Sequence, residues 1–96
     1  KSLYDLLIIP MDTNKESLKL ANSLREKGIK VLIEMNKRKV KKVLESADKN
    51  NIPYVIILGE NETKENVLEI KDMKNSTNIK VELNNIEKMY EIIEKR

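Results

Sequence analysis

Short apolar runs alternate with stretches of helical spacing along the first sixty residues. Residues 4–9 (YDLLII) form a run rich in strand formers, and Pro10 ends it. Thr13-Asn14-Lys15-Glu16 then has capping-box form, with Thr13 at the N-cap and Glu16 three residues on. Leu18, Ala21 and Leu24, with Leu20 beside them, give the following helix an apolar face, and Gly28 is placed to end it in a left-handed turn. Residues 30–34 (KVLIE) read as a second strand. A second helix follows from about Lys39 to Asn50, with Val40, Val43, Leu44 and Ala47 at helical spacing. Ile52-Pro53 leads into a third strand at residues 54–58 (YVIIL), stopped by Gly59. Its unbroken apolar run is what a strand covered on both faces requires.

The rhythm then changes. Residues 67–71 (VLEIK) and 79–83 (IKVEL) both alternate, and the turn-rich residues 72–78 (DMKNSTN) lie between them. So short a connection predicts an antiparallel hairpin, whereas strands joined through crossover helices must run parallel. Asn84 is placed to cap a last helix whose stripe is Ile86, Met89, Tyr90 and Ile93. The order βαβαβββα, without repeat or linker, predicts one three-layer α/β/α domain over residues 1–96: a mixed five-stranded sheet with helices on both faces.

Composition then narrows the chemistry. The chain holds no histidine, cysteine, tryptophan or phenylalanine. That excludes the usual zinc sites, a thiol nucleophile and a Ser-His-Asp triad, and it removes any disulfide framework as a sign of secretion. No apolar run approaches the ~20 residues that span a bilayer, and the N-terminus lacks the form of a signal peptide. The chain starts at Lys1 rather than a methionine, so a fragment of a longer protein is expected.

Charge is unevenly spread. Residues 1–50 hold twelve Lys/Arg against seven Asp/Glu, and residues 51–96 hold seven against nine. The densest basic run is Lys37, Arg38, Lys39, Lys41 and Lys42. Such a patch attracts phosphate; it also serves as a plain solvated helix face.

Ligands of open α/β sheets collect at the carboxyl ends of the strands. Here those ends carry Met11-Asp12, Met35-Asn36-Lys37-Arg38 and Gly59-Glu60-Asn61-Glu62. With only two glycines in the chain, no glycine-rich phosphate loop is possible. A receiver domain would need a phosphorylatable aspartate where Leu58-Gly59 stands. Glu60 and Glu62 form a pair of acids, but nothing beside them activates a water, and solvated loop acids account for them.

A longer pattern runs through the second half: Ala47-Asp48-Lys49, then Ile52-Pro53-Tyr54-Val55-Ile56-Ile57-Leu58-Gly59-Glu60, then Glu62, then Val67 to Lys71-Asp72. It resembles the anticodon-binding domain shared by the class II aminoacyl-tRNA synthetases for histidine, proline, threonine and glycine. Arg38-Lys39-Val40-Lys41-Lys42 before Ala-Asp-Lys, and Ile70-Lys71-Asp72-Met73, are most similar to the histidine branch. The opening strand and the Leu18–Leu24 helix fit as well, so the resemblance covers essentially the whole chain.

The resemblance implies a sheet order of 2-1-3-4-5 with the fourth strand antiparallel. It also implies a role: gripping the anticodon loop of tRNA(His). A separate catalytic part, using ATP and Mg2+, would charge the tRNA in a cytoplasmic homodimer. No cofactor, metal or catalytic residue is expected within this domain, and no membrane partner.

By the same resemblance, Glu62 and Lys71 stand where related synthetases place base-reading residues. A carboxylate accepts from base N–H groups, and an ammonium donates to base acceptors. The competing reading is a Glu62–Lys71 surface ion pair. Arg38, Lys39 and Lys42 are the candidates for tRNA phosphate contact. Tyr54 and Tyr90 are expected in the core rather than as stacking platforms.

The family's usual glycines are replaced by Asn66 and Lys37. Asparagine tolerates positive φ, so the first change is mild; the second bears on the backbone beside Arg38. Two other readings remain: a synthetase-like regulatory or accessory domain that has lost anticodon specificity, and a small α/β enzyme. The absence of His and Cys and the shortage of Gly count against the enzyme. Glu87, Glu91 and Glu94 make the outer side of the last helix a solvated surface rather than a dimer face.

Overall fold

The computed structural model describes residues 2–36 and 38–94. Its sheet is ordered by how much each strand must bury. β1 (Leu6–Pro10) and β3 (Tyr54–Leu58), the two continuous apolar runs, lie inside the sheet order β2-β1-β3-β4-β5. β1 pairs in parallel with β2 (Val31–Ile33) and with β3. β4 (Val67–Asp72) runs antiparallel to β3 and closes a hairpin with β5 (Thr77–Glu82). Only β4 opposes the common direction, as the family resemblance implies.

Successive strand side chains point to opposite faces, which divides the core in two. Leu6, Ile8, Ile56, Leu58, Leu68, Ile70 and Val81 face one way. They meet Leu20, Ala21 and Leu24 of α1 (Asn14–Glu26) and Met89 and Ile93 of α4 (Ile86–Glu94). Leu7, Ile9 and Val55 face the other way, against Val43 and Ala47 of α2 (Val40–Lys49). The layer count on the two faces is therefore unequal. A helix with its side chains is about 10–12 Å wide, whereas five strands span roughly 19 Å. The lone α2 covers β1 and its neighbours and leaves the outer face of β4 and β5 bare.

Four local details differ from the sequence expectation, each for a physical reason. The Thr13 side chain does not cap α1. Thr13 is buried, and its Oγ1 donates across 45 residues to the Leu58 carbonyl at 2.6 Å, with Ser17 Oγ 3.1 Å away. A buried hydroxyl must find a partner, whereas an exposed helix N–H finds water. That bond also re-phases the helix. The buried face is Ser17, Leu20, Ala21 and Leu24, and Leu18 is half exposed. Ser17 takes a core position because Thr13 satisfies its hydroxyl.

The third difference is at α4, which is capped by Asn85 rather than Asn84. Asn85 Oδ1 accepts from the Lys88 N–H at 3.2 Å. The fourth is an additional short helix, α3 (Glu60–Glu65), between β3 and β4. It buries no residue, so no apolar period announces it. Its N-cap is Gly59, whose N–H donates to Glu62 Oε1 at 2.7 Å. This is one half of a capping box, since glycine has no side chain to return the bond. Two acids in its first turn suit the positive end of the helix dipole.

The special backbone positions follow the expected chemistry. Gly28 ends α1 at φ +93°, and Asn66 ends α3 at φ 59° in the left-handed region. The hairpin strands reach further than their alternation indicates, leaving residues 73–76 as the turn. Asp72 accepts from the Asn75 side chain and from the backbone N–H groups of Asn75 and Lys74. These bonds, the Asn75 side chain foremost, hold its carboxyl below the ordinary value.

Candidate functional site

The bare face of β4 and β5 is a groove of about 390 Å3. Register determines what lies in it. Lys71 stands opposite Val55 on β3 and Asn78 on β5, and Glu69 stands opposite Lys80. Strand alternation aims all of these to the side on which Val55 is buried under α2. Val55, Ile57 and Val67 make an apolar floor, and α3 contributes Glu62 and Glu65 to the wall.

The structure therefore brings the two proposed base-reading residues, Glu62 and Lys71, into one groove. They do not form the ion pair that competed with this reading. Among the described residues the ion pairs are Lys27–Glu87 and Arg38–Glu34. The Lys71 ammonium has no hydrogen-bond or ion-pair partner among those residues. Glu62 is half buried, and its Oε1 is engaged by the Gly59 N–H. Its other oxygen, Oε2, has no hydrogen-bond partner among the described residues.

Glu65, Glu69, Asn78 and Lys80 also line the groove, and sequence reasoning had not singled them out. The signal was there in part. Alternation along β4 puts Glu69 on the same face as Lys71, but Asn78 and Lys80 join them only through the hairpin register.

Three carboxylates, two ammonium groups and one amide give the groove acceptors and donors of both signs over an apolar floor. A phosphate would meet more negative charge than positive there. Planar groups edged with N–H donors and carbonyl acceptors suit it better.

The basic run lies elsewhere. Arg38 is held by Glu34, with Nη2 2.7 Å from Oε1 and Nε 3.3 Å from Oε2. That hydrogen bond, and then the Glu34 charge, raise the guanidinium pKa above its ordinary value. Glu34 also accepts the Asn36 N–H, so one carboxylate organises the turn after β2. Arg38 lines a separate hollow with Met11, Asp12 and Met35 at the carboxyl ends of β1 and β2. Lys39, the N-cap of α2, and Lys42 in its first turn are exposed. Lys37 lies outside the described residues. The remaining Arg38 donors, with Lys39 and Lys42, are open to an anion at the N-terminal end of α2. Tyr54 is buried in the core, as expected. Tyr90 packs against the same cluster, with the Lys27 ammonium 5.7 Å from its ring centre.

A family model described as an anticodon binding domain matches residues 5–94. Histidine–tRNA ligase 1 of Bacillus cereus is 38% identical over 86 residues, covering 88% of this chain and 20% of the relative. Histidine–tRNA ligase 2 of Shouchella clausii is 39% identical over 74 residues, covering 77% of this chain and 17% of the relative. Among solved structures, apo histidyl-tRNA synthetase from S. aureus superposes with a TM-score of 0.80 at 28% identity, covering 94% of this chain and 26% of that one. Histidyl-tRNA synthetase from Nostoc sp. gives a TM-score of 0.86 at 24% identity, covering 97% of this chain and 22% of that one, a likeness of fold. The chain spans about a fifth of the length of the curated relatives it matches.

Proposed function

Because this chain belongs to the anticodon-binding domain family, in the form carried by histidine–tRNA ligases, we propose that its β4–β5 groove holds the unpaired anticodon bases of tRNA(His). The observation that supports this most is the convergence of Glu62 and Lys71 in one open, mixed-charge groove. A guanine edge offers N–H donors that Glu62 Oε2 can accept and a carbonyl that Lys71 can reach. Uracil offers one donor between two acceptors. Splayed bases would rest on Ile57 and Val67. Arg38, Lys39 and Lys42 serve the loop's phosphates, which position without reading sequence.

We further propose that the domain, residues 1–96, is one part of a longer chain. Its span of about a fifth of its relatives supports this. The remainder would activate histidine with ATP and Mg2+ and act as a cytoplasmic homodimer. The residues here do not fit either group: the two glycines build no phosphate loop, and no cluster of three acids among the described residues is placed to hold a metal. No helix among the described residues is long and apolar enough to cross a membrane.

The test is a titration of the chain with an anticodon stem-loop carrying GUG and with one whose anticodon is changed. The GUG loop is expected to bind more tightly. Lys39→Ala with Lys42→Ala should weaken both loops alike and reduce the salt slope by about 0.7 per lost single-strand phosphate contact. Equal binding of the two loops by the unaltered chain would instead favour an accessory domain without anticodon specificity.

A further inference from the structure

Gly59 sits at φ −108° and ψ −177°, an extended conformation open to any residue. Its lack of a side chain is therefore not a backbone requirement. A Cβ built there would lie 2.8 Å from Glu62 Oε1, and its next neighbour, Met11 Cβ, would be at an ordinary 3.8 Å. Among the described residues, the only group that a Cβ at 59 would crowd is the Glu62 carboxylate. The same carboxylate oxygen accepts the Gly59 N–H at 2.7 Å. One residue thus supplies both the hydrogen bond that holds the carboxylate and the space into which it is drawn.

We propose that Gly59 is a positioning residue for anticodon reading: it pins Glu62 Oε1 against the backbone so that Oε2 is presented to the base in a single orientation. This deepens the anticodon-loop reading and rests on it.

The physics makes the two roles of Glu62 separable by oxygen. An unrestrained glutamate has three rotatable bonds and would offer a base either oxygen in many directions, at an entropic cost on binding. The latch removes that freedom beforehand. A recognition group must be held within about 0.5 Å of its productive position, and a methyl at 59 forces a shift of that order. The atom displaced is the end of a flexible side chain, so the domain keeps its fold while the carboxylate moves.

The experiment compares Gly59→Ala, Glu62→Ala and the double variant, each in the 96-residue chain. It measures the ratio of Kd values for the GUG and changed-anticodon stem-loops, thermal melting, and amide exchange at residue 59. Gly59→Ala is expected to lower the Kd ratio roughly tenfold, to melt only a few degrees below the unaltered chain as the lost cap requires, and to expose the residue-59 amide to exchange. In the Glu62→Ala background the same change should do nothing further to the ratio, because Gly59 acts through Glu62.

An unchanged Kd ratio in Gly59→Ala overturns the inference. So does an additional loss in the Glu62→Ala background. If the unaltered chain does not distinguish the two loops, the anticodon reading itself has failed. The latch is then judged by exchange alone: an amide still protected in Gly59→Ala overturns it, and a deprotected one upholds it.

Discussion

Glu62→Ala is expected to cost the domain two separable things, base discrimination and helix stability. Losing a well-formed carboxylate contact to a base edge should reduce discrimination between anticodon loops by roughly 10- to 100-fold, the usual worth of one good base contact. The same substitution removes the acceptor of the Gly59 N–H. A lost N-terminal cap costs about 1 kcal/mol. Glu62→Gln separates the two effects. A glutamine carbonyl still accepts from Gly59, so stability should be nearly kept. Its amide then faces the groove with donors where a carboxylate offered an acceptor, and preference for a guanine-bearing loop should fall as far as in the alanine variant. Denaturant midpoints and stem-loop titrations on both variants check this. Retention of full discrimination by Glu62→Gln would show that the free oxygen reads nothing.

The largest stability effect is expected at Ile56→Ala. Ile56 is fully buried in the middle of β3, opposite Ile8 on one side and Ile70 on the other. Truncating such a residue leaves a cavity between the sheet and the α1–α4 layer, and the cost is about 2–5 kcal/mol. That is a large share of the ~5–15 kcal/mol that stabilises a domain of this size. Leu18→Ala, on the half-exposed side of α1, should change stability by about 0.5 kcal/mol or less. Urea unfolding with an unchanged slope would report both values. The pair reverses the weight that apolar spacing alone assigns to Leu18. Function should follow stability here, because β3 leads into Gly59 and α3 and sets the register of Lys71 through Val55. Near the unfolding midpoint, Ile56→Ala should weaken both loops equally, unlike Glu62→Ala.

The sequence carried the parts of the fold that depend on near neighbours. Unbroken apolar runs marked β1 and β3 as interior strands, and alternation marked the β4–β5 hairpin. Gly28 marked the end of α1. What escaped depends on contacts far along the chain or on polar segments. Thr13 reads as a local cap, yet its acceptor is the Leu58 carbonyl, 45 residues away. Ser17 reads as surface, and only its bond to Thr13 lets it be buried. α3 is polar all round and six residues long, so no hydrophobic period could reveal it.

The site divides in the same way. Glu62 and Lys71 were legible through family resemblance rather than periodicity, and Asn78 and Lys80 required the hairpin register. The groove itself follows from a count of layers: α1 and α4 cover one face of five strands, and α2 alone covers part of the other. Asn66, standing where the family resemblance implies a glycine before β4, adopts the left-handed conformation that glycine favours.

The central claim is that the uncovered β4–β5 face is where anticodon bases are held. Amide and side-chain NMR shifts recorded while a GUG stem-loop is added test it most directly. The expected shifts concentrate on Glu62, Val67, Glu69, Lys71, Asn78 and Lys80, with weaker and strongly salt-dependent changes at Lys39 and Lys42. Shifts concentrated instead on the outer surfaces of α1 and α4, with the groove residues unmoved, would contradict it.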